Sequence, residues 1–177
     1  MHYRAHRGAV LAYLLRRCPS AADAHDALAE TFLVAWRRPE QVPDGDAAVR
    51  LWLYGVARRV LANQRRAERR RRRLSERLQA HPGDELVPGP DEAGTEREVL
   101  RVLSRLGERD REILLLSAWE GLSHAEIAAV LGCSENASAV RLHRARARLR
   151  EAYAKERGAR GTSRGEYGER DSGKAVP

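Results

Sequence analysis

Very little in this sequence could carry catalysis or hold a metal. Its 177 residues include two cysteines, Cys18 and Cys133, far apart and not in a C-x-x-C pair. A cytosolic chain keeps such thiols reduced, so neither a disulfide scaffold nor a zinc site is expected. The six histidines, His2, His6, His25, His81, His124 and His143, are scattered, and neither H-E-x-x-H nor a glycine-rich phosphate loop occurs. No cofactor and no enzymatic activity are expected. No stretch approaches the ~18 to 20 uncharged apolar residues of a membrane span. The start Met1-His2-Tyr3-Arg4 lacks the apolar core of a signal peptide. The expectation is a cytoplasmic chain without membrane insertion.

Positive charge is what the sequence does have. Lys and Arg number 33 against 25 Asp and Glu, a net charge of +8, so an anionic partner is expected. With 42% hydrophobic and 33% charged residues there is apolar material for modest cores, which suits two compact helical modules.

Helical periodicity runs through both halves. Tyr3, Val10, Leu11 and Leu14 mark an inward face of a helix from Tyr3 to Arg17 that Pro19 closes. Ser20-Ala21-Ala22-Asp23 caps a second helix, with Ala24, Leu28, Thr31, Phe32, Ala35 and Trp36 on one broad face before Arg37-Arg38-Pro39. Asp46 can cap a third, carrying Val49, Trp52, Leu53, Val56, Val60 and Leu61. That helix leads into the densest charge run of the chain, Arg65, Arg66 and Arg69 to Arg73. The run either continues the helix or frays into an arm; arginine propensity allows both.

Proline and glycine between Gln79 and Gly94 read as an interdomain linker. Thr95-Glu96-Arg97-Glu98 then opens a second module with Val99, Val102, Leu103 and Leu106 inward, and a further helix spans about Glu108 to Trp119. The strongest local signal comes next. Gly121 stops that helix, Ser123-His124-Ala125-Glu126 is a capping box, Gly132 permits a tight turn, and Ser134 caps a helix expected to run to about Lys155. This is helix-turn-helix grammar. The tail lacks apolar periodicity and is expected to be disordered. The fold class is therefore all-α, two small helical domains joined by a flexible linker, the second a helix-turn-helix. The expected bounds are 1–78, linker 79–94, 95–156 and tail 157–177.

On the last helix Ser138, Leu142, Ala145 and Leu149 make an inward face, while Arg141, Arg144 and Arg148 share an adjacent one flanked by His143 and Arg146. A recognition helix needs this division, with one face packed and the other offering donors to phosphates and base edges. In the first module Trp52 and Tyr54, and Trp36 beside them, precede the arginine run. Aromatic faces next to a cationic track suit unpaired strands, which bind by base stacking and phosphate neutralisation. Trp52 as a core residue is the other reading.

Three stretches carry a resemblance: Asp23 to Trp36, Trp52-Leu53-Tyr54-Gly55-Val56-Ala57-Arg58, and Leu122 to Leu149 with Arg141-Leu142-His143-Arg144-Ala145-Arg146. Together they resemble the extracytoplasmic-function (ECF) group of bacterial RNA polymerase sigma factors, in the family's order and over most of Tyr3 to Tyr153. The resemblance implies a first module that binds the clamp of core RNA polymerase and melts the minus-ten element. It implies a second module that reads the minus-thirty-five element and touches the flap. It places Asp26, Glu30, Phe32 and Trp36 on the polymerase-binding surface and Trp52, Arg58, Asn63, Arg65 and Arg66 at the minus-ten DNA. Ala139, Val140, His143 and Arg144 fall at base-reading positions of the minus-thirty-five helix, and Arg141, Arg146 and Arg148 at phosphate-facing ones. An anti-sigma factor is an implied partner.

Acidic Asp26 and Glu30 on a basic chain suit a basic protein surface, though an ordinary solvated face fits them too. Asn63 also fits a plain helix-end residue. Ala139-Val140 departs from a common basic-then-serine pair, and Val140 can offer apolar contact only, for instance to a thymine methyl. From the residues two other classes stay open. One is a conventional helix-turn-helix regulator binding duplex DNA without polymerase. The other is an arginine-rich RNA-binding protein.

Overall fold

A computed structural model describes residues 2–76 and 94–165. The described residues form α-helices and one 3-10 turn, without a strand: α1 (His2–Leu15), α2 (Ala21–Arg37), the turn Pro39–Gln41, α3 (Asp46–Glu76), α4 (Gly94–Arg105), α5 (Glu108–Ala118), α6 (His124–Leu131) and α7 (Glu135–Gly165). By packing they divide into two units. One holds α1 to α3 together with Leu116–Ser138; the other holds α4, most of α5, and α7 from Ala139 onward.

In the first unit α1, α2 and α3 pack against one another and α6 packs on α3. Val10, Tyr13 and Leu14 of α1 are fully buried with Ala24, Ala27, Leu28 and Thr31 of α2 and Val49, Leu53, Val56, Ala57 and Val60 of α3. The alanines keep the helix backbones close. Thr31 meets the need of its buried hydroxyl locally, donating to the Ala27 carbonyl at 2.7 Å. Tyr13 stacks on Tyr54 with ring centres 5.0 Å apart, and the Arg17 guanidinium lies 3.6 Å from the centre of the Tyr13 ring.

In the second unit Val102 and Leu103 of α4, Ile113, Leu114 and Leu115 of α5, and Leu142 and Ala145 of α7 are buried. Arg111 donates to the Leu103 carbonyl at 2.9 Å and so satisfies the open C-terminal end of α4. Glu156 of α7 is buried and pairs with Arg101 at 3.1 Å and with Arg105.

Several expectations need correction. α1 stops at Leu15, because the amides of Arg17 and Cys18 both turn back to the Leu14 carbonyl ahead of Pro19. Tyr3 is not inward; it lies about half exposed with its ring edge-on to Phe32. Asp46 does not cap α3 but starts it. Gly45, at φ +87°, precedes it and accepts from the Val49 amide, and the Asp46 carboxylate instead meets the buried His6 at 3.2 Å. The broad face of α2 closes at Thr31, leaving Trp36 exposed.

The arginine run continues α3 to Glu76, as a run without proline or glycine can. α7 extends to Gly165, past the expected end near Lys155; Gly158 and Gly161 inside the extension cost about 1 kcal/mol each relative to alanine, which weakens a helix without by itself ending it. Apart from Gly94, which starts α4, the linker lies at or beyond the edge of the described residues, and 77–93 and 166–177 fall outside them.

Leu53 is almost fully buried, whereas Leu33 is 44% exposed. Leu53→Ala is expected to cost about 2 to 5 kcal/mol, and Leu33→Ala less than about 0.5 kcal/mol, read as shifts in the urea midpoint of the full chain.

Candidate nucleic-acid and partner interfaces

The helix-turn-helix is built by local chemistry. The Ser123 hydroxyl accepts from the Glu126 amide at 3.3 Å and the Glu126 carboxylate accepts from the Ser123 amide at 2.8 Å, a complete capping box. Those hydrogen bonds hold the Glu126 carboxyl below its ordinary value. Gly132, at φ +67°, supplies the left-handed turn that a residue with a Cβ rarely adopts. Ser134 then accepts from the Ala137 amide at 3.2 Å and starts α7.

On α7 the inward face is as the spacing predicts. Ser138, Leu142 and Ala145 are buried and Leu149 is half-buried. Val140, 41% exposed, and Arg141, His143, Arg144 and Arg146 point outward, with Ala139 half-buried beside them. Val140, His143 and Arg144 follow one another at helical spacing and form a continuous stripe. Arg148 is exposed but already paired, its Nη1 lying 2.7 Å from the Asp110 carboxylate of α5. Near the far end of the inward face, Val99, Leu149, Tyr153 and Ala154 line an apolar groove of about 390 Å³.

In the first unit α2 splits the residues expected to act together. Asp26, Glu30 and Trp36 are exposed, Trp36 by 83%, while Phe32 turns back against Tyr3. Leu33, missed in the sequence, stands between Glu30 and Trp36 as an exposed apolar residue. Its signal was an apolar residue off the buried stripe of α2. Glu30 accepts from Gln64 Nε2 of α3 at 3.1 Å.

A groove of about 260 Å³ lies between α2, the 3-10 turn and α3. Trp52, Asn63, Glu30, Arg37, Arg38 and Arg59 are among its lining residues. Trp52 is half-buried there rather than sealed in the core. Asn63 lies inside α3, well before its end at Glu76, so it is not a helix-end residue; its Oδ1 accepts from Arg66 Nη2 at 2.7 Å. Arg58 and Arg65 are not brought to this groove. Arg58 Nη2 approaches the Leu131 carbonyl at 3.4 Å, and Arg65 Nη2 donates to the Arg17 carbonyl at 3.0 Å. Arg37, Arg38 and Arg59 were missed as site residues because three separate elements make the groove.

Residues 2–71 match the family model of sigma-70 region 2, and residues 96–149 match that of sigma-70 region 4. The ECF RNA polymerase sigma factor SigL of Mycobacterium tuberculosis is 33% identical over 149 residues, 84% of this chain and 84% of that protein. This chain belongs to the ECF sigma factors. The RNA polymerase sigma factor CnrH of Cupriavidus metallidurans is 37% identical over 141 residues, 72% of this chain and 71% of that protein. A solved structure of CnrH in complex with the cytosolic domain of CnrY has a TM-score of 0.55 at 28% identity, covering 83% of this chain and 82% of that one. The sigma factor RpoE from Bartonella quintana, solved with the anti-sigma factor NepR, shares the fold with a TM-score of 0.67 at 23% identity, over 85% of this chain and 92% of its own.

As a member of this family the chain is an alternative sigma factor of transcription initiation, with an all-helical region 2 and region 4. Among its described residues no helix is long and apolar enough to cross a membrane.

The capping box gives a pH prediction for this ECF sigma factor. Glu126 has a folded-state pKa below its ordinary value of 4.5, so its contribution is present above that value and is lost as pH falls through the folded one. Protection of the α6 amides from exchange, relative to the intrinsic rate at each pH, should therefore fall in acid, and Glu126→Gln should flatten that dependence.

Proposed function

We propose that this ECF sigma factor joins core RNA polymerase through α2, directs it to promoters through α7, and holds the opened minus-ten strand with α3. The observation that carries the reading is the presence on one chain, in order, of region 2 and region 4, each with an outward face that its own packing leaves uncovered. The working division is 1–78 as region 2, 79–94 as linker, 95–156 as region 4 and 157–177 as tail. The chain works in the cytoplasm and catalyses nothing itself.

Asp26, Glu30, Leu33 and Trp36 offer a polymerase clamp an acidic and apolar surface, with Phe32 supporting it from behind against Tyr3. Desolvating Trp36 alone would bury one of the largest side chains, the kind that anchors interfaces. Trp52 and Asn63 on the groove are suited to a base taken out of the stack, and Arg66 reaches the same edge through Asn63. Arg58 and Arg65 reach DNA only after giving up backbone carbonyls. On α7, His143 and Arg144 offer donors to base edges and Val140 and Ala139 apolar contact, while Arg141, Arg146 and Arg148 face phosphates. The groove at Val99, Leu149 and Tyr153 is the apolar surface open to the flap.

The mechanism is differential binding. The holoenzyme opens a promoter because it binds the melted, flipped strand better than the duplex. An anti-sigma partner that covers the polymerase surfaces fits the chain; RpoE was solved with the anti-sigma factor NepR and CnrH with the cytosolic domain of CnrY.

Transcription with purified core polymerase on a genomic promoter library tests the whole reading: sequence-selective initiation is expected, and its absence overturns it. Arg144→Ala should weaken use of one minus-thirty-five base by ~1 to 3 kcal/mol; a uniform loss over all promoters would make it a phosphate contact instead. Asp26→Lys with Glu30→Lys should abolish holoenzyme assembly in a pull-down while the circular dichroism of the free chain is unchanged.

A further inference from the structure

Arg141, Arg144 and Arg148 form one ridge along α7, at spacings of three and four. Arg141 and Arg144 are exposed and hold no acceptor among the described residues. Arg148 differs. Its Nη1 donates to the Asp110 carboxylate of α5 at 2.7 Å, with the arginine side chain 58% exposed and the aspartate only 20%.

That asymmetry separates a fixture from a working group. Asp110 stands in the first turn of α5, where the positive helix end favours a carboxylate, and its amide donates to the Gly107 carbonyl at 3.0 Å. Its neighbour Arg111 donates to the carbonyls of Leu103 and Ser104 and so braces the turn between α4 and α5. The carboxylate is thus carried by a fastened piece of backbone. A guanidinium bears five N–H donors on a rigid fork, and Asp110 engages it at Nη1, so the exposed remainder stays available to a second oxyanion.

We propose that Asp110 is a positioning residue for promoter DNA: it holds Arg148 in the pose in which the guanidinium meets a backbone phosphate, while Arg144, one turn earlier, stays free to search base edges. The proposal rests on the promoter-binding role proposed for α7 and adds to it the residue that fixes the last contact of the ridge. An unheld arginine gives up rotamer freedom when DNA immobilises it; Arg148 has given up much of that freedom in the fold already. The charge of Asp110 works the other way, since a carboxylate repels phosphate, but it is offset by the more exposed guanidinium that it holds.

The test titrates holoenzyme, assembled from core polymerase and the full chain, against a fluorescein-labelled duplex of the strongest promoter found in the library transcription. Asp110→Ala should weaken binding by roughly three- to tenfold, the loss expected for one rotamer-rich side chain left unheld. Asp110→Asn keeps an acceptor for Nη1 and should restore most of the affinity. In an Arg148→Ala background, Asp110→Ala should cost nothing further. Equal losses in the two backgrounds overturn the proposal, because Asp110 then acts through the stability of α5 and not through Arg148. Unchanged or tighter binding by Asp110→Ala overturns it too, being the sign of a carboxylate that only repels phosphate. A measurement on the unaltered, DNA-free chain depends on neither variant nor polymerase: NMR relaxation of the arginine Nε–H groups should find Arg148 as ordered as the backbone of α7 and Arg144 mobile. Arg148 as mobile as Arg144 overturns the proposal even if no variant folds. The sigma-factor reading fails differently, as absence of selective initiation by the unaltered holoenzyme, and leaves the relaxation result standing.

Discussion

The buried ion pair between Arg17 and Glu120 is the contact on which the larger packed unit depends. Its side chains are 2% and 4% exposed and its N to O distance is 3.0 Å. A buried pair gains little over apolar residues of the same volume, but losing one partner strands a charge and costs about 3 to 5 kcal/mol. Here the guanidinium is also held over the Tyr13 ring and donates to the Tyr13 carbonyl at 2.8 Å. Tyr13 in turn stacks on Tyr54, whose pKa is raised by burial and by the negative Glu120. One cluster thus ties α1, α3 and the turn before α6, and the charge in it is as specific a fastening as the apolar core around it.

That fastening explains the division of labour along α3. From Val49 to Leu61 the helix is a core element, with apolar residues at spacings of three and four. Beyond Asn63 it is mostly arginine, and Arg69 to Arg73 are exposed, Arg72 holding the Glu68 carboxylate one turn back. Between the two halves, Arg58 and Arg65 are neither core nor free surface; each points at a main-chain carbonyl. Arginine suits this middle role because its stem packs while its fork keeps several donors available to a second acceptor.

Local chemistry was the legible part of the sequence. The caps at Ser20, Ser123 and Ser134 and the left-handed Gly132 follow from side-chain hydroxyls and a missing Cβ within a few residues, and so does the inward face of Ser138, Leu142 and Ala145. What could not be read was which of two neighbouring faces a third element covers. Phe32 and Trp36 are one turn apart, yet Tyr3 of α1 reaches the first and nothing described covers the second. Asp46 reads as a cap until the buried His6, forty residues earlier in the chain, claims its carboxylate. The groove with Trp52, Arg59 and Asn63 needs three elements to converge, so periodicity within α3 could only offer Trp52 as stacking platform or core. The groove makes both partly true, since Trp52 packs with one part and opens to the groove with another.

The acidic face of α2 has a physical reason to sit on a chain of net charge +8. A uniformly basic surface would draw DNA to every side and give the polymerase no preferred approach. On the proposed function, Asp26 and Glu30 beside Leu33 and Trp36 would repel phosphate while leaving an apolar anchor for a basic protein surface, so that long-range charge would sort the two partners before any close contact forms. Screening limits that sorting to about 8 to 10 Å at physiological salt, so the acidic and basic residues must lie on separate faces. Glu30 sits at the boundary between them: it lines the groove with Arg37, Arg38 and Arg59, and its hydrogen bond from Gln64 ties α2 to α3 at 3.1 Å. A shift of α2 on a bound partner would therefore be felt at Asn63, one residue from Gln64, through this hydrogen bond as well as through the core that α2 and α3 share.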